Sequence, residues 1–571
     1  MTRGIITPKY KVFSAKTLMD YISKSDSFIF GSRFNPHDND NIPSQQETSV
    51  DGLFYDVINQ MLFAKKIPEA NFSQVIRRYD WEPNKIYAQY DHTDPNLHDK
   101  QFYVISKEGP TYSVFKCISN NRNSLSVFKP LFSQASVFDD LFLLPDGYIW
   151  KYMYSVDEQT ERKFGLKDWF PVIQDEDVKS NAKKGGIEVV KVDSPGKNYF
   201  NQVSGIIGLS NVEGNRRKFY IEAEEPLSTV IGFYVGNAMY MTSGAQHGSI
   251  RQIVEYGFEG PNRFVIIDSE FDDLPQVGDL FKIAPMVTFE GDGTGFIGVA
   301  EIDDVSRELK SVVVISSGEG YSRATPAIST NKSAEGFEEA VITPILPPQG
   351  GHGFNAFNEL FATHFCVFVD MEGFSLPSQD ITYRQLGILY SPVYQGVDLT
   401  MDSVEFIEVG DIISQGSVIG RVKEKIGNNI VLQDVEGGFF EEGEIESGET
   451  IISVNTFLNN LDLRTVININ YIGSGTFIPG EEIFQTNTNA SCILLSERNE
   501  NIFISCARGN FSTLQDDILI GRESNARALI NSIDKPKISL DSGNILYVEN
   551  ISPIERTDFQ TERVKLVFGA I

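Results

Sequence analysis

The stretch Gly293-Thr294-Gly295-Phe296-Ile297-Gly298 has the glycine spacing of a dinucleotide fingerprint and follows a strand-like run from Met286 to Phe289. Such a fingerprint works by seating a pyrophosphate on the N-terminus of a helix. Here Val299-Ala300-Glu301-Ile302-Asp303 alternates as a strand does and runs into an Asp303-Asp304 turn. The six histidines (His37, His92, His98, His247, His352, His364) show no His-x-x-x-His or His-Glu-x-x-His spacing, and the four cysteines (Cys117, Cys366, Cys492, Cys506) show no Cys-x-x-Cys. Asp91-His92-Thr93-Asp94 with His98 and Asp99 is the nearest thing to a ligand cluster, and a polar loop explains it more simply. Gly350-Gly351-His352-Gly353 could offer backbone amides to an anion; a junction after Pro347-Pro348 is the plainer reading. Neither a Gly-x-Ser-x-Gly elbow nor a Walker loop is present. The sequence therefore predicts no catalytic, cofactor-binding or metal residues. Arg77-Arg78-Tyr79-Asp80-Trp81 pairs two guanidinium groups with aromatic rings, which suits either a partner interface or an internal tie.

At 571 residues the chain exceeds one compact core, so several domains are expected. Its 41 Phe and 22 Tyr, with many Val and Ile, favour pleated sheets over long helices. The predicted fold class is α+β, mostly β, multidomain, with inserted β-rich barrel or sandwich domains. The formal charge of −29 would repel a phosphate backbone, which argues against direct nucleic-acid binding. No apolar run is long enough for a membrane span, and Met1 to Tyr10 lacks the order of a secretion signal, so neither membrane insertion nor export is expected. The scattered cysteines fit a reducing compartment.

Val50 to Lys66 is spaced like a short amphipathic helix that must end before Pro68. Residues 102–105, 112–118 and 148–154 read as strands, with Gly109-Pro110 and Pro145-Asp146-Gly147 as turns. One device occurs twice, about 120 residues apart: Val189 to Val192 leads into Ser194-Pro195-Gly196-Lys197-Asn198-Tyr199, and Val312 to Ile315 leads into Ser316-Ser317-Gly318-Glu319-Gly320-Tyr321. Each looks like a strand, a tight turn and an aromatic plug. A second device, an acidic turn before an apolar strand, recurs at Gly278-Asp279, Gly410-Asp411, Gly480-Glu481 and Asp516-Asp517. The last two sit in longer units with a period of roughly 35 residues, bracketed by Gly475/Phe477 and Ala490 in one copy and by Gly509/Phe511 and Ala526 in the other. Paired hairpins of a small barrel or sandwich are expected there.

Five stretches carry a family resemblance. Ile76 to Trp81, Val114 to Cys117, Asp146-Gly147-Tyr148-Ile149-Trp150-Lys151-Tyr152, Tyr383 to Ile388 with Pro392, and Ser542 to Asn550 with Lys565 to Phe568 resemble, in order, stretches of the baseplate wedge subunits encoded by the eighth gene of T-even-type contractile-tailed bacteriophages. The likeness covers residues 1–185, 346–394 and 536–571; residues 186–345 and 395–535 look like β-rich insertions. The resemblance implies a non-enzymatic scaffold without cofactors, a homodimer that contacts other baseplate wedge subunits and rearranges with them when sheath contraction is triggered. It implies the virion tail baseplate as the location, and the host cytoplasm during assembly. Two alternatives remain: a tail-fibre or receptor-binding protein, suggested by the glycine-rich β blocks, and a dinucleotide-dependent enzyme.

Overall fold

A computed structural model describes residues 6–44, 50–134, 141–223, 226–372, 381–436, 440, 443–445, 450–454, 460–536, 538–539, 542–555 and 561–569. Residues 1–5 of the Met1 to Tyr10 stretch lie outside them. Strand outweighs helix, 48% against 9%, so the chain is mostly β, and its sheets include two closed barrels. It divides into two compact units, one of Met1–Val12 with Ile76–Ala362 and one of Phe13–Val75 with Thr363–Ile571. No described helix is long and apolar enough to cross a membrane.

In the first unit, Tyr103–Glu108, Thr111–Ser119, Ile149–Asp157 and Leu141–Leu143 form an antiparallel sheet in that order. Gly109 and Pro110 make the two-residue link that sets Glu108 opposite Thr111, and Gly109 takes the positive φ (+59°) such a link needs. Phe115, Cys117, Tyr148 and Trp150 fill a core on one face, while Val114, Met153 and Tyr154 fill another. Burial on both faces is why these strands read as near-continuous apolar runs.

Residues 203–284 close a six-stranded barrel in the order Val203–Leu209, Lys218–Ala223, Asn262–Ile267, Ile250–Glu259, Ala238–Met241, Leu280–Ala284. Closure removes the exposed edges that short strands would otherwise present. Phe219, Ile221, Tyr256, Val265, Phe281 and Ile283 fill it. Next comes a four-stranded sheet, Leu309–Glu319, Thr294–Ile302, Met286–Gly291, Ala324–Ser329, and the block ends in Val341–Ile345 paired with Val189–Ser194.

The near-repeat of the sequence is a pseudo-twofold in space. The stretches 187–195 and 309–317 run antiparallel, tied at both ends by Ile187 N–H to Ser317 O (2.8 Å) and Leu309 N–H to Pro195 O (2.9 Å). Tyr199 and Tyr321 are both buried in one core, and each hydroxyl accepts a backbone N–H, from Ala340 (2.8 Å) and Phe296 (3.4 Å). Gly318, at φ +59°, lies so close to the next strand that a Cβ would sit 2.5 Å from the Thr294 carbonyl oxygen. Gly318→Ala is therefore expected to cost on the order of 2–3 kcal/mol, left-handed strain plus displacement of backbone. Gly109→Ala has the same φ but open surroundings and should cost only about 1–2 kcal/mol. Urea unfolding of the two variants makes the comparison, and equal losses would show that crowding contributes nothing.

In the second unit a five-stranded sheet runs Asn460–Asp462, Met61–Lys66, Ser27–Ser32, Thr382–Tyr390, Asn544–Glu555. Here the helix expected over Val50 to Lys66 is corrected: it ends at Asn59, and Met61–Lys66 is a strand. Its four successive buried residues Met61, Leu62, Phe63 and Ala64 serve cores on both sides of the sheet, and two-sided burial with pairing on both edges outweighs helical spacing. His364–Glu372 pairs with Thr561–Gly569 along its length and with Phe72 to Val75. A six-stranded sheet, Ile412–Gln415, Val418–Ile426, Asn429–Glu436, Tyr394–Met401, Thr450–Val454, Gly443–Glu444, packs on the first through Val397, Leu399, Ile430 and Leu432.

The second closed barrel runs Thr465–Tyr471, Asn501–Arg508, Ser491–Arg498, Glu482–Gln485, Leu519–Gly521, Arg527–Asp534. Its two halves follow the sequence period. Asn489 and Asn525 share φ +55°, and a Cβ on Gly475 or Gly509 would meet Ala526 or Ala490 of the opposite half at 3.4 or 3.2 Å. The acidic turns are one device used in three sheets. Gly278, Gly410 and Gly480 have φ near +90 to +100° and donate N–H to Ile207, Val422 and Leu494, which donate back to the carbonyls of Asp279, Asp411 and Glu481. Each acid then accepts the N–H three residues before it, from Gln276, Glu408 or Ile478. In the fourth copy Asp517 instead accepts from Asn487 and Thr488.

Candidate functional site

Each of two apolar strands of the first unit carries one lysine in its middle, and the register sets Lys116 directly opposite Lys151. Like charges so placed repel, and both are buried. Lys116 Nζ donates to Glu359 Oε2 at 2.5 Å and lies 4.4 Å from the centre of the Tyr90 ring. Glu359 ends the short helix Ala356–Glu359, which Asn355 caps through Asn358 N–H. Its carboxylate also accepts from Gly353 N (2.9 Å) and Asn355 N (3.1 Å).

The loop before that helix needs glycine. Gly350, Gly351 and Gly353 stand at φ +96°, +105° and +88°. Of the four amides that could have served an external anion, that of Gly353 goes to the chain's own Glu359 carboxylate and that of Gly351 to the Pro348 carbonyl. His352 is buried edge-on against Tyr90, with Nε2 3.8 Å from Glu188 Oε2, too far for a hydrogen bond. Among the described residues, Glu188 Oε2 and His352 Nδ1 are buried without a hydrogen-bond partner. Burial pushes the Glu188 carboxyl up against the pull of Lys151 and Lys116. Burial, then Lys116 and Lys151, hold His352 well below the ordinary imidazole value, so it is neutral at pH 7. Burial also lowers Lys116, with Glu359 opposing the shift. The cluster sets lysines and carboxylates against one another and ties the loop to the sheet through Glu359.

The other candidates are dispersed. Asp91 accepts from Thr93 N–H and Oγ1 and lies 3.7 Å from Lys191, while Asp94 takes Lys100 at 2.5 Å. His92 Nδ1 accepts from Leu346 N–H, and His98 stands edge-on to Phe361. No group of three or more metal-capable side chains occurs among the described residues. His37 reaches the Arg384 carbonyl, and His364 the Thr363 hydroxyl. After Gly298 the chain continues as the strand Thr294–Ile302, so the fingerprint has no helix N-terminus to offer a pyrophosphate.

Arg77 and Arg78 serve internal ties. Arg77 stacks 4.2 Å over Trp169, Arg78 bonds Glu161 (2.7 Å) and Asp80 (2.9 Å), and Trp81 Nε1 donates to Ser126 Oγ. The Lys116–Glu359 pair was not foreseen from the sequence, although a signal existed. A single lysine inside Val114-Phe115-Lys116-Cys117, and another inside Tyr148-Ile149-Trp150-Lys151-Tyr152, demands a buried partner once both strand faces are apolar. No protein-family model matches the chain, and no curated protein matches it.

Proposed function

We propose that the chain is a structural, non-enzymatic subunit of the baseplate wedge of a T-even-type contractile-tailed bacteriophage. In this reading it assembles with other wedge subunits, as a homodimer, and takes part in the rearrangement that triggers sheath contraction. The observation that carries the proposal is how the family-like segments meet. Residues from 1–185, 346–394 and 536–571 supply Met61–Lys66, Ser27–Ser32, Thr382–Tyr390 and Asn544–Glu555 of one sheet, while each β-rich block between them closes a barrel of its own. That is the arrangement expected of an old core carrying insertions. The engagement of Lys116, Glu359, Arg77 and Arg78 in internal ties agrees with a scaffold.

Co-purification with the other wedge subunits of its phage, followed by sizing of the isolated chain and of the mixture, tests the reading. A stoichiometric complex is expected. A chain that stays apart from every wedge subunit but binds host cells would instead make the barrels receptor-binding modules.

A further inference from the structure

The helix Pro8–Ser23 is apolar on two opposite sides. At 100° per residue, Val12, Ala15, Met19 and Ile22 share the side that packs inward, and Tyr10, Phe13 and Tyr21 share the opposite one. These three are 56%, 65% and 56% exposed, and Ile6 precedes them at the same spacing, 57% exposed. A surface helix ordinarily carries one apolar stripe, and a helix apolar all round belongs in an interior. The outward stripe is flanked by Lys9 and Lys16, with Lys24 just past the helix end. Against them stands Asp20, which Lys16 already engages at 2.8 Å. A basic rim is out of character for a chain of charge −29. Tyr21 is held in place by stacking on Tyr390 at 5.0 Å, so part of the stripe is preorganised.

We propose that this outward face docks an acidic amphipathic helix of a partner protein, its apolar side laid along Tyr10, Phe13 and Tyr21 and its carboxylates against the flanking lysines. Helical spacing of the anchors and the basic rim both select that occupant. A second copy of the same helix would bring net positive charge against net positive charge. An anionic bilayer would attract the lysines but repel the chain behind them. Tyrosine and phenylalanine at the centre of a charged rim are the composition of a protein interface. The inference does not depend on the baseplate reading.

The test titrates the full chain against a fluorescent three-heptad helical peptide with Leu at a and d and Glu at e and g, a matched peptide with Lys at e and g, and phosphatidylglycerol vesicles. The Glu peptide is expected to bind, and Phe13→Glu or Tyr10→Glu should weaken it by about tenfold or more while leaving the unfolding curve unchanged. Failure of the Glu peptide to bind, equal binding of the Lys peptide, or indifference to Phe13→Glu would each overturn the proposal. Binding to vesicles without binding to the Glu peptide would assign the face to a membrane surface and overturn it as well. Loss of the complex with wedge subunits bears on the baseplate reading, not on this one.

Discussion

Lys116→Met is expected to lower the stability of the first unit by about 3–5 kcal/mol, because it strands the Glu359 carboxylate without its cation. The two side chains are 0% and 2% exposed, so water cannot replace the missing partner. Glu359 cannot turn away, since Gly353 and Asn355 hold it through their N–H groups. The double change Lys116→Met with Glu359→Gln should recover about 1–3 kcal/mol. The substituted amide is neutral, and its carbonyl oxygen still accepts from the loop. Glu359→Ala should be worse than Glu359→Gln, because it leaves Lys116 buried and orphans two amides together. Urea unfolding of the four proteins decides the matter. A loss below about 1 kcal/mol for Lys116→Met would mean that the ion pair is not what holds the loop.

Glu481→Ala should destabilise the second barrel by on the order of 3–4 kcal/mol. The buried carboxylate accepts from Ile478 N (2.7 Å), Glu523 N (2.9 Å), Ser524 N (2.9 Å) and Ser524 Oγ (2.7 Å), joining a turn of one half-barrel to a loop of the other. Glu481→Gln should cost about half as much, since an amide oxygen can keep only some of these bonds. The same site makes the barrel sensitive to acid. Burial alone would raise the Glu481 carboxyl, yet the bonds from Ser524, Ile478 and Glu523 outweigh it and hold the carboxyl below its ordinary value. The folded state thus binds fewer protons than the unfolded state. The stabilisation is complete above the unfolded value of about 4.3 and is lost as pH falls through the folded value. Barrel unfolding followed between about pH 7 and pH 3 should therefore show a decline that Glu481→Gln reduces. An identical decline in both proteins would place the acid sensitivity elsewhere.

The strands and turns of the first sheet were legible because Gly109-Pro110 and Pro145-Asp146-Gly147 punctuate long aromatic runs. The repeats at Tyr199 and Tyr321, and at Glu481 and Asp517, were visible as periods, but only the register reveals that each pair is related by rotation across a shared contact. The boundary within Val50 to Lys66 was not legible, since a segment that fits helical spacing also fits a strand buried on both faces. The helix Pro8–Ser23 escaped for the opposite reason: apolar residues on both sides blur the single stripe by which a surface helix is recognised. The Lys116–Glu359 pair spans more than half the first unit's sequence, and no local pattern couples residues that far apart.

Ser194 is paired with Val341, and the chain between them holds a complete barrel and a further sheet. Searching for that partner as one free loop would be slow, since closure grows costlier with length and distant pairings form late. The barrel of residues 203–284 needs nothing from outside itself to close, so it can form first and shorten the effective loop. The same logic delays the second unit. Ser27–Ser32 waits for Thr382–Tyr390, which in turn waits for Asn544–Glu555. During synthesis the barrels are thus expected to be native while the five-stranded sheet is still open, because Ser27–Ser32 and Asn544–Glu555 are made so far apart in the sequence.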